Sequence, residues 1–205
     1  MSVHRHILFV LSILVHCVGT AGAQTYWAVD AGAVLVRADG SITTVQPSGD
    51  ALNHTVTTGS CTEWRQYVIS ADGDVGLAAV SDFCLGQIDP DGYSLEPPLT
   101  LVDLPLAAGK TWSQLTTLHP MYGSEEWTVF VEATVLGPTR ATVPAGIFDV
   151  VAVQVQIISF SWQMPSETRT LLLQANLGDV SGLVSWQGVV PDAAATWGGV
   201  KALFR

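Results

Sequence analysis

The chain has 205 residues, with 18 Asp and Glu against 8 Lys and Arg, and carries a net charge of −10. An acidic surface of this kind repels phosphate backbones, which argues against nucleic acid as a partner. Charged residues make up 13% and apolar residues 48%, a balance that excludes a disordered chain and suits one domain with a sizeable core.

Residues 1–23 read as a secretory leader: basic Arg5 beside His4 and His6, an apolar run over 7–15, then Ala21-Gly22-Ala23 before Gln24. The run is interrupted by Ser12 and followed by His16, and falls short of the roughly 20 residues that span a bilayer. Cleavage is expected to leave no transmembrane anchor and a secreted or periplasmic chain. The alternative is a lipoprotein anchored through Cys17, although His16 stands where lipidation wants a small residue. The leader carries Arg5 and no acid, so residues 24–205 are one unit more negative than the whole, and they are expected to form one all-β domain.

In chain order, residues 26–30, 33–38 and 42–45 read as strands, with Asp39-Gly40 as a turn. Residues 46–58, polar and holding Pro47 and Gly49, read as a loop. Cys61 and Cys84 then flank Asp72-Gly73, a strong hairpin signal. A two-residue loop there sets residue 61 opposite residue 84, so the two cysteines are expected to form a disulfide, with Glu63 facing Asp82 and Arg65 available to offset that repulsion. Asp89-Pro90-Asp91-Gly92 reads as a turn and Pro97-Pro98 as a stiff connection. Residues 101–106 and 111–118 follow as strand candidates. Over 126–136, Trp127, Val129, Val131, Ala133 and Val135 share one face of a half-buried strand. Val143-Pro144-Ala145-Gly146 forms a turn. Residues 149–163 make the longest candidate, with a slip of alternation near Ile157-Ile158. Residues 168–174 and 180–186 are expected to pair around Asn176-Leu177-Gly178-Asp179, and 199–204 to be a last strand. Ten to twelve antiparallel strands of this kind curve into a half-barrel or barrel, with a β-sandwich as the alternative.

The chemical inventory is thin. Beyond the leader only His54 and His119 remain, both read as solvated loop residues, and there is no nucleophile elbow, phosphate loop or His-Glu-x-x-His motif. The Asp-Gly turns lack the oxygen spacing of a calcium loop. Glu126 and Glu132 share a strand face but lie about 20 Å apart, too far for a glycosidase pair. No catalytic residue, metal or cofactor is therefore assigned. Tryptophan is the positive feature, with seven residues; an exported β domain can use the indole to stack a sugar or line an apolar pocket. Trp162, Phe160 and Trp112 are the candidate ligand-binding residues, Trp127 reads as core, and Trp64 is expected to pack on the disulfide.

Leu104-Pro105-Leu106 with Gly109-Lys110-Thr111-Trp112, and Thr142-Val143-Pro144-Ala145-Gly146-Ile147-Phe148-Asp149, resemble elements of uncharacterised bacterial exported or lipid-anchored β proteins. The resemblance covers about residues 100–190. It implies export and a curved antiparallel sheet, and it brings no catalytic residue with it. Together these readings point to a non-catalytic exported domain that binds an apolar or glycan ligand on the concave face of its sheet. The competing readings are an envelope protein-interaction domain without a small ligand and a hydrolase that uses scattered carboxylates.

Overall fold

The structure is a computed structural model that describes residues 26–28, 30–48, 51–84, 91–161 and 163–188. The leader expected over residues 1–23 with Cys17, Trp162, Trp197 and the expected strand over 199–204 lie outside the described residues.

Twelve strands follow one another: β1 (Val34–Arg37), β2 (Ile42–Ser48), β3 (Ala51–Thr58), β4 (Cys61–Ile69), β5 (Val75–Cys84), β6 (Asp91–Val102), β7 (Thr111–Pro120), β8 (Trp127–Val143), β9 (Gly146–Ser159), β10 (Glu167–Gln174), β11 (Gly178–Asp179) and β12 (Leu183–Gln187). They form a single antiparallel sheet in which each strand from β1 to β10 pairs with the next, and β12 adds to the free side of β1. No helix occurs among the described residues.

The sheet is not closed by a ladder, yet its two edge strands are consecutive in the chain. Residues 180–182 lead from β11 to β12. Val180 N donates to Leu172 O on β10 and Ala38 N donates to Gly182 O just past β1. One segment thus spans the gap between the edges and holds the sheet in a curl. Arg37 fastens this seam by donating from Nη1 to Asp179 O (3.1 Å) and Ser181 O (2.9 Å). The Asp179 carboxylate does so from the other side, accepting from Leu172 N, Ser181 N and Ser181 Oγ. The expected pairing of 168–174 with 180–186 along their length is therefore corrected. The left-handed Gly182 (φ 67°) turns the chain away, so that β12 reaches β1 instead.

Other expectations change for local reasons. Residues 46–48 and 51–58 are strand rather than loop: Leu52 and His54 point inward and are buried, while Asn53, Thr55 and Thr57 alternate outward. Their polarity reflects an outward face, not irregular backbone. Trp27 and Ala28 are buried and Tyr26 is half-buried, without forming a strand. Pro97 and Pro98 lie inside β6, in a stretch where residues 95–98 have no β5 partner, so no ladder donor is lost. Their carbonyls accept from Thr116 Oγ1 and Gln114 Nε2. The slip in β9 falls at Ala152-Val153, opposite the bulge between Val135 and Gly137, and not near Ile157-Ile158. Beyond it the alternation holds: Ser159 and Ser161 turn inward, satisfied by Ser166 and by each other, while Ile158 and Phe160 face outward.

The disulfide joins Cys61 to Cys84 with their Cα atoms 4.0 Å apart. Its register arises differently from the expectation. Only Gly73 of the pair Asp72-Gly73 has positive φ. The reversal is a three-residue loop closed by Gly73 N to Ser70 O and Ser70 N to Asp74 O. Near this loop Ile69 pairs with Val75. A bulge that skips Ala78 then restores the register that sets Cys61 against Cys84 and Glu63 against Asp82. Trp64 lies on the outer face, opposite Thr55 and Ser81, whereas the cysteines line the interior, so the indole does not pack on the bridge.

The core fills the part of the curl between β6 and β10. Val129, Val131, Val135, Val153, Val155 and Leu173 are fully or almost fully buried there, and Trp127 packs half-buried against them. At roughly 25 cal/mol per Å² of apolar surface removed from water, such rows of β-branched side chains supply the main driving force for the curl.

Candidate functional site

The rest of the inner face is polar. The alternation of β4 sends Glu63, Arg65 and Tyr67 inward, β3 adds His54, β5 adds Asp82 and β10 adds Arg169. These residues come from both sides of the curl and line one cavity of about 490 Å³. A second region of about 320 Å³ continues beyond them toward Tyr93, Gln163 and Met164. Glu63, Arg65, Tyr67, Asp82 and Arg169 line both regions and form the partition between them. Both volumes fall in the range of small-ligand sites.

The partition holds charges of both signs. Arg65 Nε donates to the Glu63 carboxylate two residues away on the same strand face. Burial works against the Arg65 charge, but the Tyr67 oxygen and the Glu63 carboxylate beside it more than offset this and leave the guanidinium more firmly protonated than usual. Arg169 reaches only a long ion pair with Glu167 (3.5 Å). Tyr93, buried nearby, has its phenol pKa raised by burial and by the Glu63 carboxylate.

Four polar atoms of lining residues are buried without a hydrogen-bond partner: Arg169 Nε, Trp27 Nε1, Asp82 Oδ1 and Gln163 Oε1. Two are donors and two acceptors. A buried group left in this state costs about 1–3 kcal/mol, more when charged, and is expected to have a reason. Asp82 adds a second cost, because Glu63 stands directly opposite it in the ladder.

One end of the cavity is closed by the segment that precedes β1. Trp27 is 7% exposed and Ala28 is 1% exposed. The Trp27 indole lies 4.9 Å from the Tyr67 ring and 6.2 Å from the His54 ring, centroid to centroid. His54 is 6% exposed and its Nε2 lies 3.0 Å from Ala28 O. A neutral ring protonated at Nε2 makes this bond. Burial lowers the His54 pKa to about 4, helped by Arg65 and Arg37 and opposed by the Ala28 carbonyl. On the other side, the β10–β11 reversal turns through the left-handed Gly178 (φ 77°) and packs in ordinary contact with Trp27 and Ala28.

Sequence reasoning looked to other aromatic residues. Phe160 is 84% exposed on the outer face. Trp112 is half-buried and donates from Nε1 to Thr100 O. Trp162 lies outside the described residues. Neither Phe160 nor Trp112 lines the cavity regions, and the structure does not bring the two together there. The lining residues were visible only as isolated inward positions of short strands. Their one signal was the run Glu63-x-Arg65-x-Tyr67, polar at alternate positions where an apolar face was expected.

His119 is also in a strand rather than a loop. Its Nδ1 lies 3.0 Å from Glu126 Oε1, and Ser94 faces it across the ladder. This row sits on the outer face, where such an ion pair contributes little, and it belongs to neither cavity region. Among the described residues no group of three His, Cys, Asp or Glu is placed to hold a metal, and no helix is long and apolar enough to cross a membrane. No protein-family model, curated protein or solved structure matches the chain.

Proposed function

We propose that this chain is an exported binding module that holds a small ligand inside its curled sheet. The observation that carries this reading is the polar partition: charged and hydrogen-bonding groups, several without partners, face a cavity where the neighbouring inner face is packed with valine and leucine. A scaffold of this size gains nothing from burying Asp82 against Glu63. The lining favours a polar ligand over an apolar one, because an apolar ligand leaves each orphaned group unpaired at about 1–3 kcal/mol apiece. The leader and the Cys61–Cys84 bridge support an oxidising, secreted or periplasmic setting. Native mass spectrometry of protein recovered from its producing cells, followed by thermal-shift screening of polar and apolar metabolites, tests the reading. It expects a retained or stabilising small molecule from the polar set, and uniformly flat melting curves would overturn it.

A second reading, docking to another envelope protein, is favoured by the outer face. Leu115, Phe130 and Ile158 stand side by side on β7, β8 and β9, with Leu115 and Ile158 exposed. Apolar rows of this kind mark contact surfaces. Light scattering of the purified protein with and without Leu115→Lys tests this reading, which expects self-association or partner capture to disappear in the variant.

A further inference from the structure

We infer that the interior recognises a neutral saccharide or polyol, with hydroxyls bound by Asp82 and Arg169. This rests on the proposal that the cavity takes a ligand, and it names the ligand's chemistry.

The charges on the lining decide against a strongly ionic ligand. Arg37, Arg65 and Arg169 contribute three positive groups, and Asp39, Glu63, Asp82, Glu167 and Asp179 contribute five negative ones. Several of these are already engaged. Glu63 holds Arg65, Asp39 Oδ1 accepts from Ser41 N, Asp179 accepts three bonds at the seam, and Arg37 donates to two seam carbonyls. An anion entering the partition meets Glu63 and Asp82, and a cation meets Arg65 and Arg169. Either sign is opposed at close range in a setting that screens poorly.

The lining atoms left without a partner are one acceptor and one donor in the partition, Asp82 Oδ1 and Arg169 Nε, with the Trp27 indole N–H at the closed end of the first region and the Gln163 amide oxygen in the second. A hydroxyl donates one hydrogen bond and accepts up to two. A polyol carries hydroxyls that can donate to the Asp82 oxygen and accept from the Arg169 nitrogen, which neither a carboxylate nor an ammonium can do. Hydrogen bonds to charged partners are the strong ones, so this pair can set both affinity and orientation. Tyr67 in the partition and Tyr93 in the second region add buried aromatic walls to the lining. The two regions on either side of the partition leave room for substituents in both directions.

Asp82 also separates binding from folding. It has no bond to lose and faces Glu63 across the ladder. Asp82→Asn is therefore expected to fold at least as stably as the natural protein while binding less well, a combination that a structural residue does not give.

The experiment is isothermal titration calorimetry of the oxidised protein with glucose, galactose, N-acetylglucosamine, trehalose, myo-inositol, glucuronate, glucosamine and laurate. Asp82→Asn, Arg169→Gln and the outer-face control Arg140→Gln are titrated in parallel, with the urea midpoint of each measured alongside. The expected result is saturable binding of at least one neutral sugar or polyol, weakened tenfold or more by Asp82→Asn and Arg169→Gln and unchanged by Arg140→Gln. Tighter binding of glucuronate or glucosamine than of their neutral counterparts overturns the inference. So does neutral-sugar binding indifferent to both interior variants. Laurate binding without sugar binding overturns the inference while leaving the binding-module proposal standing. Silence from the whole panel, with flat melting curves in the metabolite screen, removes both.

Discussion

His54 ties the pre-β1 segment to the sheet and makes the fold sensitive to acid. The ring is buried, its Nε2 bonds Ala28 O, and its pKa is lowered to about 4 by burial first, with Arg65 and Arg37 adding to the effect. In the unfolded chain the ring titrates near 6.5. The unfolded state therefore takes up the proton first as the pH falls. The stability linked to His54 is complete above about pH 6.5 and is lost as the pH falls toward about 4, a loss of about 3 kcal/mol. Urea midpoints at pH 7.5 and pH 4.5 check this. The natural protein is expected to lose stability over that interval by a margin that His54→Gln lacks, and equal losses in both would contradict the assignment. Nothing in the sequence around His54 announced its burial. Asn53, Thr55 and Thr57 made the stretch look like a polar loop, and the inward positions between them became visible only once both neighbouring strands were in place.

The Cys61–Cys84 hairpin was legible because two local features offset each other. A three-residue loop shifts the register one way and the bulge at Ala78 shifts it back. The sequence carries the Asp-Gly signal for a reversal but nothing that fixes its length, so the bridge was expected on a simpler geometry than the one that makes it. The staple closes a short loop and is expected to contribute about 3 kcal/mol. Urea unfolding with and without reductant measures this, and unfolding curves that superimpose would show that the hairpin does not need its bridge.

The seam between β11 and β12 is the second element that hydrogen bonding decides. Asp179 Oδ1 accepts three bonds there, so Asp179→Ala is expected to cost about 2–3 kcal/mol. The same variant is expected to speed amide exchange at Val180 and Ala38, whose bonds bridge the sheet edges. Protection factors unchanged at both amides would mean that the curl does not depend on this carboxylate. The sequence suggested an ordinary hairpin here, since Asn176-Leu177-Gly178-Asp179 reads as a reversal between two strand candidates; the left-handed Gly182 that redirects the second arm reads as one more turn residue until the position of β1 is known.

For the molecule as a whole, the strand count and the antiparallel order followed from turn residues recurring between β-branched runs, and the curl followed from rows of inward valines on β8 and β9. The interior was not legible. Its lining is assembled from β1, β3, β4, β5 and β10, residues far apart in sequence, and each contributes an inward polar side chain that looks unremarkable alone. Tryptophan content drew attention to the outer and half-buried indoles, while the aromatic end of the cavity is built from Trp27, His54 and Tyr67. The most direct measurement is a ¹H–¹⁵N spectrum of the oxidised protein titrated with the neutral sugars and polyols, following the Trp27 indole N–H and the Arg169 Nε–H. Both are interior donors without a protein partner. A saturable shift at both, with the outer-face Trp64 indole unmoved, is the expected result. Shifts at Trp64 alone, or at none of the three across the panel, would contradict a ligand site within the curled sheet.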